Sequence, residues 1–267
     1  MKTSIITIIK DEQLYLDQWI AYHINIGVDR LFILEDVGST SHASITEKYE
    51  QVKLMSVLDI FYNDKDKEYV RQRRLNKQPT QKYIMQQAFS ELRKGYDWCF
   101  PIDADEYITS EKPLKETLSL YNDYDAVLLR WQNYNANGYY KKPEGIYSLI
   151  DTYTEKCGFS EFDTKFNVTT KLAININKFN KYLFSIHHPD NKSNWCMSDF
   201  SKDRNKITYD NIYIRHYITK SFEEYMHKLN IRGMQHNNHR KIDEFFEYNP
   251  NMKDKEKIDN IKELYYI

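Results

Sequence analysis

The apolar positions at the start of the chain alternate between unbroken runs and helical spacing. Residues 4–9 form a continuous run rich in Ile, which predicts a central strand buried on both faces. Apolar side chains then recur every three or four positions from Leu16 to Ile24, and Gly27 is placed to end the predicted helix. Residues 30–34 predict a second strand. The chain therefore opens in the strand, helix, strand order of an α/β protein.

The same alternation continues along the chain. Further elements are predicted from these patterns: a short helix at 44–50, strands at 52–60, 98–102 and 126–131, and a helix at 79–94. We therefore expect a Rossmann-like, mostly parallel central sheet flanked by helices. No Gly-x-Gly-x-x-Gly follows the first strand and the sequence has no Walker lysine loop. The sequence therefore lacks the main signals of a dinucleotide-binding protein and of a P-loop protein.

Residues 63–77 are strongly charged and mostly basic, and they include Arg71, Arg73 and Arg74. A charge run of this kind is usually a solvated face. Its functional interpretation is a mobile loop that closes over a diphosphate.

Three carboxylates, Asp103, Asp105 and Glu106, follow the predicted strand at residues 98–102. Carboxylates crowded at the end of a buried strand repel one another and lose hydration, so a cation stabilises them. Mg²⁺ and Mn²⁺ prefer oxygen ligands and are commonly completed by the phosphates of a substrate. The sequence therefore predicts a metal–diphosphate site. The alternative, for an Asp-x-Asp taken alone, is a solvated acidic turn.

The other predicted strand ends bring polar residues to the same place, because ligands of doubly wound sheets bind beyond the carboxyl ends of the strands. Residues that follow the first two strands are Lys10, Asp11, Glu12, Glu35, Asp36 and Ser39. We expect them to gather with Asp103 and Asp105 at one edge, which is the candidate active site.

The second half of the chain adds predicted strands at 171–177, 182–187 and 212–217. His216 is close to the end of the last of these. A lone histidine there is more often packed than a ligand, but a metal held by two aspartates accepts a third protein ligand, and Mn²⁺ tolerates imidazole. Lys220 stands near the start of the next predicted helix, whose N-terminus also favours a phosphate.

Composition and charge restrict the class of protein. The 267 residues are 41% hydrophobic with a net charge of −1, which fits one enzyme-sized unit and gives no overall field that attracts nucleic acid. Three dispersed cysteines indicate reduced thiols instead of a disulfide framework or a zinc site. The first apolar run is too short to span a membrane, so we expect a cytoplasmic protein. Residues 254–267 predict an amphipathic terminal helix that packs on the domain or docks on a partner or membrane surface.

An ordered series of motifs, from Ser4 to Gly233, resembles GT-A glycosyltransferases of the family-2-like and family-92-like groups. The series comprises a first strand with its turn, a Trp-x-x-x-His helix, a strand ending near Asp36, an apolar-Asp-x-Asp-Glu-aromatic block, a Trp-x-x-aromatic-x-x-x-Gly loop and a His-Tyr-x-x-Lys-Ser-x-Glu-Glu ending. These motifs stand at residues 8–12, 19–27, 31–39, 98–107, 131–138 and 216–233.

The resemblance implies a single GT-A domain at residues 1–250, with a nucleotide-sugar half at 1–110 and an acceptor-side half at 111–250, followed by a terminal helix at 251–267. It implies transfer of a sugar, as by a hexosyltransferase, from a nucleotide-diphosphate sugar such as a UDP-sugar to a hydroxyl of a glycan or glycolipid. Surface polysaccharide or glycolipid assembly would suit that reaction, and so would peripheral association with the inner face of the membrane.

The resemblance also implies Mn²⁺ or Mg²⁺ held by Asp103, Asp105 and His216. Asp36, Asp103 and Lys220 would contact the donor, with Lys10 and Glu12 beside them at the sheet edge. An inverting reaction needs a general base on the opposite face of the sugar. Asp190 is the leading candidate for that base, followed by Asp151, Glu161 and Asp163.

Two alternatives of a different class stay open. A strand followed by Asp-x-Asp also begins haloacid-dehalogenase-like phosphatases, so a metal-dependent phosphohydrolase is one, although a Thr or Val normally stands there in the place of Tyr107. A non-catalytic nucleotide-sugar-binding protein on the same scaffold is the other.

Overall fold

A computed structural model describes residues 1–145, 147–157, 168–179, 185–189, 192–230 and 242–264. The strands of the described residues are β1 (Thr3–Ile9), β2 (Arg30–Glu35), β3 (Val52–Ser56), β4 (Trp98–Pro101), β5 (Glu106–Ser110), β6 (Ala126–Asn133), β7 (Thr170–Asn175), β8 (Trp195–Met197) and β9 (Ile212–His216). The helices are α1 (Leu16–Asn25), α2 (Ala43–Thr46), α3 (Asp64–Leu75), α4 (Gln81–Leu92), α5 (Leu114–Ser119), α6 (Leu149–Thr152), α7 (Phe222–Asn230), α8 (Ile242–Tyr248) and α9 (Lys255–Leu264).

The described strands form a mixed sheet in the order β3-β2-β1-β4-β7-β6-β9-β5, with β8 paired to β6. The first four strands of that order are parallel, and Ser4 is level with Arg30 of β2 and Cys99 of β4. Antiparallel pairs join β4 to β7, β6 to β7 and β5 to β9, while β9 runs parallel to the end of β6. The predicted fold class, an α/β protein with a mostly parallel central sheet flanked by helices, is confirmed.

Alternate residues of the central strands enter two separate cores. Ile5 of β1 packs in one core with Trp19 of α1, whereas Ile6 packs in the other with Phe89 of α4. Both strand faces are therefore covered by helices, and this burial explains why β1 has an unbroken apolar sequence.

Most predicted elements are present with shifted ends. Strand β3 ends at Ser56, before a turn in which Asp59 N donates to Ser56 O. The predicted strand at 182–187 lies partly outside the described residues, and residues 185–189 are not a strand. The short elements β5, β8, α5, α6 and α8 are not predicted, because each offers too few periodic positions to detect.

Residues 63–77 contain helix α3, whose side chains other than Val70 are exposed or partly exposed, as expected of a solvated face; the functional interpretation of this segment as a mobile loop is wrong. The Asn63 side chain caps the helix by accepting a hydrogen bond from Asp66 N at 2.8 Å. Acidic residues occupy the first turn and Arg73 and Arg74 the last, which complements the helix dipole. The charges that suggested a loop therefore stabilise a helix.

No helix among the described residues is long and apolar enough to cross a membrane.

Helix α1 is fixed to β5 by Trp19 and His23, which are both fully buried. Trp19 Nε1 donates to Glu106 O at 2.8 Å. His23 Nδ1 lies 2.8 Å from Trp19 O, and its Nε2 accepts from Ile108 N at 3.3 Å. The Trp-x-x-x-His motif therefore joins α1 to the strand that follows the Asp103–Asp105 turn.

Burial lowers the pKa of His23 to about 3, although the hydrogen bond to Trp19 O acts to raise that pKa. The unfolded chain binds this proton below about pH 6.5 and the folded chain does not, so stability falls as the pH drops from about 6.5 towards 3. We expect His23 to account for about 2 kcal/mol of lost unfolding free energy at pH 5. Denaturant unfolding of His23→Gln and wild type at pH 7.5 and 5 measures that difference. The exposed His188, changed to Gln, is the control, and an identical pH dependence in His23→Gln and wild type would contradict the assignment.

Candidate active site

The carboxyl ends of β1, β2 and β4 meet at one edge of the sheet, as the sequence predicts. Asp36 N donates to Ile9 O at 2.8 Å, which joins the ends of β1 and β2. Beyond β4 the chain turns through Asp103 and Asp105 into β5, where Glu106 is level with His216 of β9. Tyr217 N donates to Asp105 O at 3.0 Å. This pairing brings His216 to Asp105 although they are far apart in the sequence.

Asp105 and His216 form a buried pair at this edge. Their side chains are 9% and 3% exposed, and His216 Nε2 lies 4.0 Å from Asp105 Oδ1. The other ring nitrogen, Nδ1, lies 2.9 Å from Asn133 Oδ1. An amide oxygen only accepts, so Nδ1 carries a proton, and Nε2 is the nitrogen that faces Asp105. Trp131 packs on the imidazole with ring centroids 4.0 Å apart, which fixes the ring further.

The second oxygen of Asp105 faces a lysine from α7. Lys228 Nζ lies 2.5 Å from Asp105 Oδ2, and the Lys228 side chain is 13% exposed. Burial alone would raise the pKa of Asp105, but the charges of Lys228, His216 and Lys220 hold it well below its usual value. Asp105 is therefore an anion in an electropositive surrounding.

Asp103 faces a different cation. Its Oδ2 accepts from Lys171 Nζ at 2.7 Å, and its Oδ1 accepts from Gln81 Nε2 at 3.1 Å. Lys171, from β7, is completely buried and also lies 3.3 Å from Glu106 Oε2. Burial lowers the pKa of Lys171, but Asp103 and Glu106 outweigh that effect and raise it. Burial raises the pKa of Glu106 to about 8, although the positive charge of Lys171 acts to lower that pKa.

Lys220 lies between β9 and α7, and its backbone has a φ of +53°, which is unfavourable for a residue with a Cβ. Its Nζ lies 3.7 Å from Glu12 Oε2 and 4.9 Å from the centre of the Tyr15 ring. The next residue, Ser221, forms a capping box with Glu224, whose carboxylate also accepts from Tyr15 OH at 2.7 Å. This network holds the strained turn and keeps Lys220 at the sheet edge.

Asp36 and Lys10 lie together on the β1–β2 side. Asp36 accepts two hydrogen bonds from Arg74 of α3, one of them from Nε at 2.6 Å, and one from Val37 N at 2.8 Å. Lys10 Nζ donates to Val37 O at 3.4 Å. The Asp36 carboxylate is therefore oriented by Arg74, from the charged segment at residues 63–77.

A cavity of about 300 Å³ opens beside these groups. Residues from the β1 turn, from the segment around residue 142 and from α7 with its preceding turn line it: Asp11, Glu12, Leu14, Tyr15, Lys142, Lys220, Glu223, Glu224, His227 and Lys228. The cavity combines cationic and anionic side chains next to Asp105.

The structure brings together Asp105, His216, Glu12 and Lys220, with Asp103 and Asp36 on neighbouring strand ends. Among the residues that the structure describes, no group of three or more His, Cys, Asp or Glu side chains is arranged to hold a metal ion. Asp190, Glu161 and Asp163 lie outside the described residues, and Asp151 is exposed in α6. Sequence reasoning missed the roles of Lys171, Lys228 and Asn133, since only their long-range contacts distinguish them from ordinary polar residues.

Comparisons with known proteins give weak likenesses only. No protein-family model and no curated protein matches the chain. Glucosyl-3-phosphoglycerate synthase from Mycobacterium tuberculosis, in complex with Mn²⁺, UDP and glucosyl-3-phosphoglycerate, is 16% identical over 51% of this chain and 45% of that one, with a TM-score of 0.32. HddC from Yersinia pseudotuberculosis is 13% identical over 54% and 65%, with a TM-score of 0.33. The bifunctional IspDF from Campylobacter jejuni is 8% identical over 77% and 51%, with a TM-score of 0.35. The chain thus spans less than two thirds of each of these structures.

The buried Lys171 leads to a stability prediction. Breaking a buried ion pair leaves an uncompensated charge and typically costs about 3–5 kcal/mol, so we expect Lys171→Met to lower the unfolding free energy by that amount. The matched control is Lys178→Met, because Lys178 pairs with Asp123 at the surface, where the loss should be below about 1 kcal/mol. Denaturant titration compares the two, and equal losses would contradict the structural role of Lys171.

Proposed function

We propose that the protein is a metal-dependent glycosyltransferase of the GT-A type, which moves a sugar from a nucleotide-diphosphate sugar to an acceptor hydroxyl. The pairing of Asp105 with His216 at the carboxyl edge of the sheet carries this proposal, because a carboxylate oxygen and an imidazole nitrogen face one another there at 4.0 Å. That separation is too long for a hydrogen bond and short enough for one cation to contact both atoms.

The donor set fits Mn²⁺ or Mg²⁺. Asp105 and His216 would hold the ion, Asp103 would be the third protein ligand, and such hard cations keep further positions for water and phosphate oxygens. When bound, the ion would neutralise negative charge on the departing diphosphate. Asn133 supports the fit, since its hydrogen bond to Nδ1 leaves Nε2 of His216 as the ligand atom.

The protein's own cations would act on the diphosphate as well. Lys220 is held at the edge by its strained turn, and its ammonium would stabilise the charge that develops as the bond between sugar and phosphate breaks. Asp36, oriented by Arg74, would contact the nucleoside, and Lys10 and Glu12 would line the same side. We propose a UDP-sugar as the first donor to test.

The acceptor side follows from the reaction type. Inversion requires a base that removes the proton of the acceptor hydroxyl, and we propose Asp190 for this role. A glycan or a glycolipid would supply the hydroxyl, and a glycolipid would be reached by peripheral association with the membrane.

Binding of the donor tests the proposal. A ligand that binds only the folded state at about a hundredfold above its Kd stabilises by about 2.7 kcal/mol, which corresponds to roughly 5–10 °C for a chain of this length. We expect that shift for one of the UDP-, GDP- and dTDP-sugars, only with Mn²⁺ or Mg²⁺, and not for a CMP-sugar, which has no diphosphate. Asp105→Asn should lose it, while Asp123→Asn, an exposed carboxylate elsewhere, should keep it.

Other results of the same screen would contradict the metal site or the proposed reaction. A shift that does not depend on the metal, or one that Asp105→Asn retains, would remove Asp105 from the metal site. Hydrolysis of simple phosphate esters, without any shift from a nucleotide sugar, would favour the phosphohydrolase.

A further inference from the structure

The two oxygens of Asp105 face different groups. Oδ1 faces His216 Nε2 at 4.0 Å, and Oδ2 contacts Lys228 Nζ at 2.5 Å. The carboxylate that is proposed to hold a metal ion is therefore already paired with an ammonium group of the chain. A divalent cation bound to Asp105 would lie within a few ångströms of that ammonium, and like charges at this range repel strongly where water is scarce.

The surroundings of Lys228 differ from those of Lys171, the other lysine on the Asp-x-Asp motif. Lys171 is completely buried and lies between two carboxylates, Asp103 and Glu106, so its ammonium group has no open space to move into. Lys228 stands on α7 and lines the cavity of about 300 Å³ together with Lys220 and Lys142. Rotation of its flexible side chain can move the ammonium from Asp105 into this cavity without unfolding α7.

An anionic ligand in the cavity would draw the ammonium group of Lys228 away from Asp105. Lys220, which we propose to contact the donor diphosphate, lines the same space. A diphosphate placed there would lie within reach of both lysines, and a phosphate is a strong acceptor for an ammonium group.

We propose that Lys228 is an internal counter-ion of the metal site: its ammonium competes with the divalent cation for Asp105 and, once displaced, binds the diphosphate of the donor. This inference rests on the proposed function, and it adds a residue that couples the two ligands. Without a diphosphate, the metal must displace the ammonium and binds weakly. With a diphosphate, the ammonium has a new anionic partner, so metal and nucleotide each strengthen the binding of the other to the same extent.

Mn²⁺ binding tests this coupling directly. Electron paramagnetic resonance of free Mn²⁺ gives the affinity for the ion in wild type, Lys228→Met and Lys142→Met, with and without UDP and after correction for Mn²⁺ bound by UDP in buffer. Lys142→Met is the matched control, since it removes a positive charge from the same cavity without touching Asp105 in the structure.

We expect Lys228→Met to bind Mn²⁺ alone more tightly than wild type, by about fivefold or more, which is the lower end of typical coupling between sites. The gain in Mn²⁺ affinity that UDP gives should be smaller in Lys228→Met than in wild type. Lys142→Met should bind Mn²⁺ alone as wild type does. Lys228→Arg, which keeps the positive charge, should not bind Mn²⁺ more tightly than wild type, and it tests the proposal independently if Lys228→Met does not fold.

The remaining outcomes overturn either the counter-ion role of Lys228 alone or that role together with the metal site. Unchanged or weaker Mn²⁺ binding in Lys228→Met, an equal gain in Lys142→Met, or tighter binding in Lys228→Arg overturns the counter-ion role and leaves the metal site standing. Wild type that binds no Mn²⁺, with or without UDP, overturns the proposed metal site and the role of Lys228 together.

Discussion

The neutralisation of buried carboxylates is the constraint on which this site depends. Asp105 and Glu106 are both almost fully buried where β4 turns into β5. A charge in such a place is stable only with a partner: Lys228 provides one for Asp105, and the charge of the buried Lys171 is paired with Asp103 beside Glu106. The positions of β7 and α7 relative to the sheet edge are therefore linked to the carboxylates, and the fold of the second half of the chain is tied to the chemistry of the first.

The two lysines divide the site into a fixed part and an adaptable part. Lys171 is sealed between Asp103 and Glu106, which holds one side of the Asp-x-Asp turn in place. Asp105 faces His216 and Lys228 beside an open cavity, where a ligand can change its partners. Trp19 and His23 anchor the following strand from the other direction. These two sets of contacts hold the turn and the following strand in place, while the groups beside the cavity are left able to change partners.

The sequence predicts the part of this arrangement that depends on local patterns. Strands buried on both faces have unbroken apolar sequences, so β1, β2 and β4 are recognisable, and parallel strands necessarily bring Asp36, Asp103 and Asp105 to one edge. The partners of these carboxylates are not recognisable in the same way. Lys171 is 68 positions from Asp103, and Lys228 is 123 positions from Asp105. Helix α3 was missed for another reason: its charges outweigh its few apolar residues, although the Asn63 cap and the acidic first turn were available as signals.

A crystal structure of the protein grown with Mn²⁺ and UDP, with the metal located by its anomalous scattering, would test the metal site directly. We expect one peak at coordination distance from both Asp105 Oδ1 and His216 Nε2, with the diphosphate on the same ion and Lys228 turned from Asp105 towards a phosphate. A diphosphate bound without metal, or an Mn²⁺ peak away from Asp105 and His216, would contradict the proposed metal site.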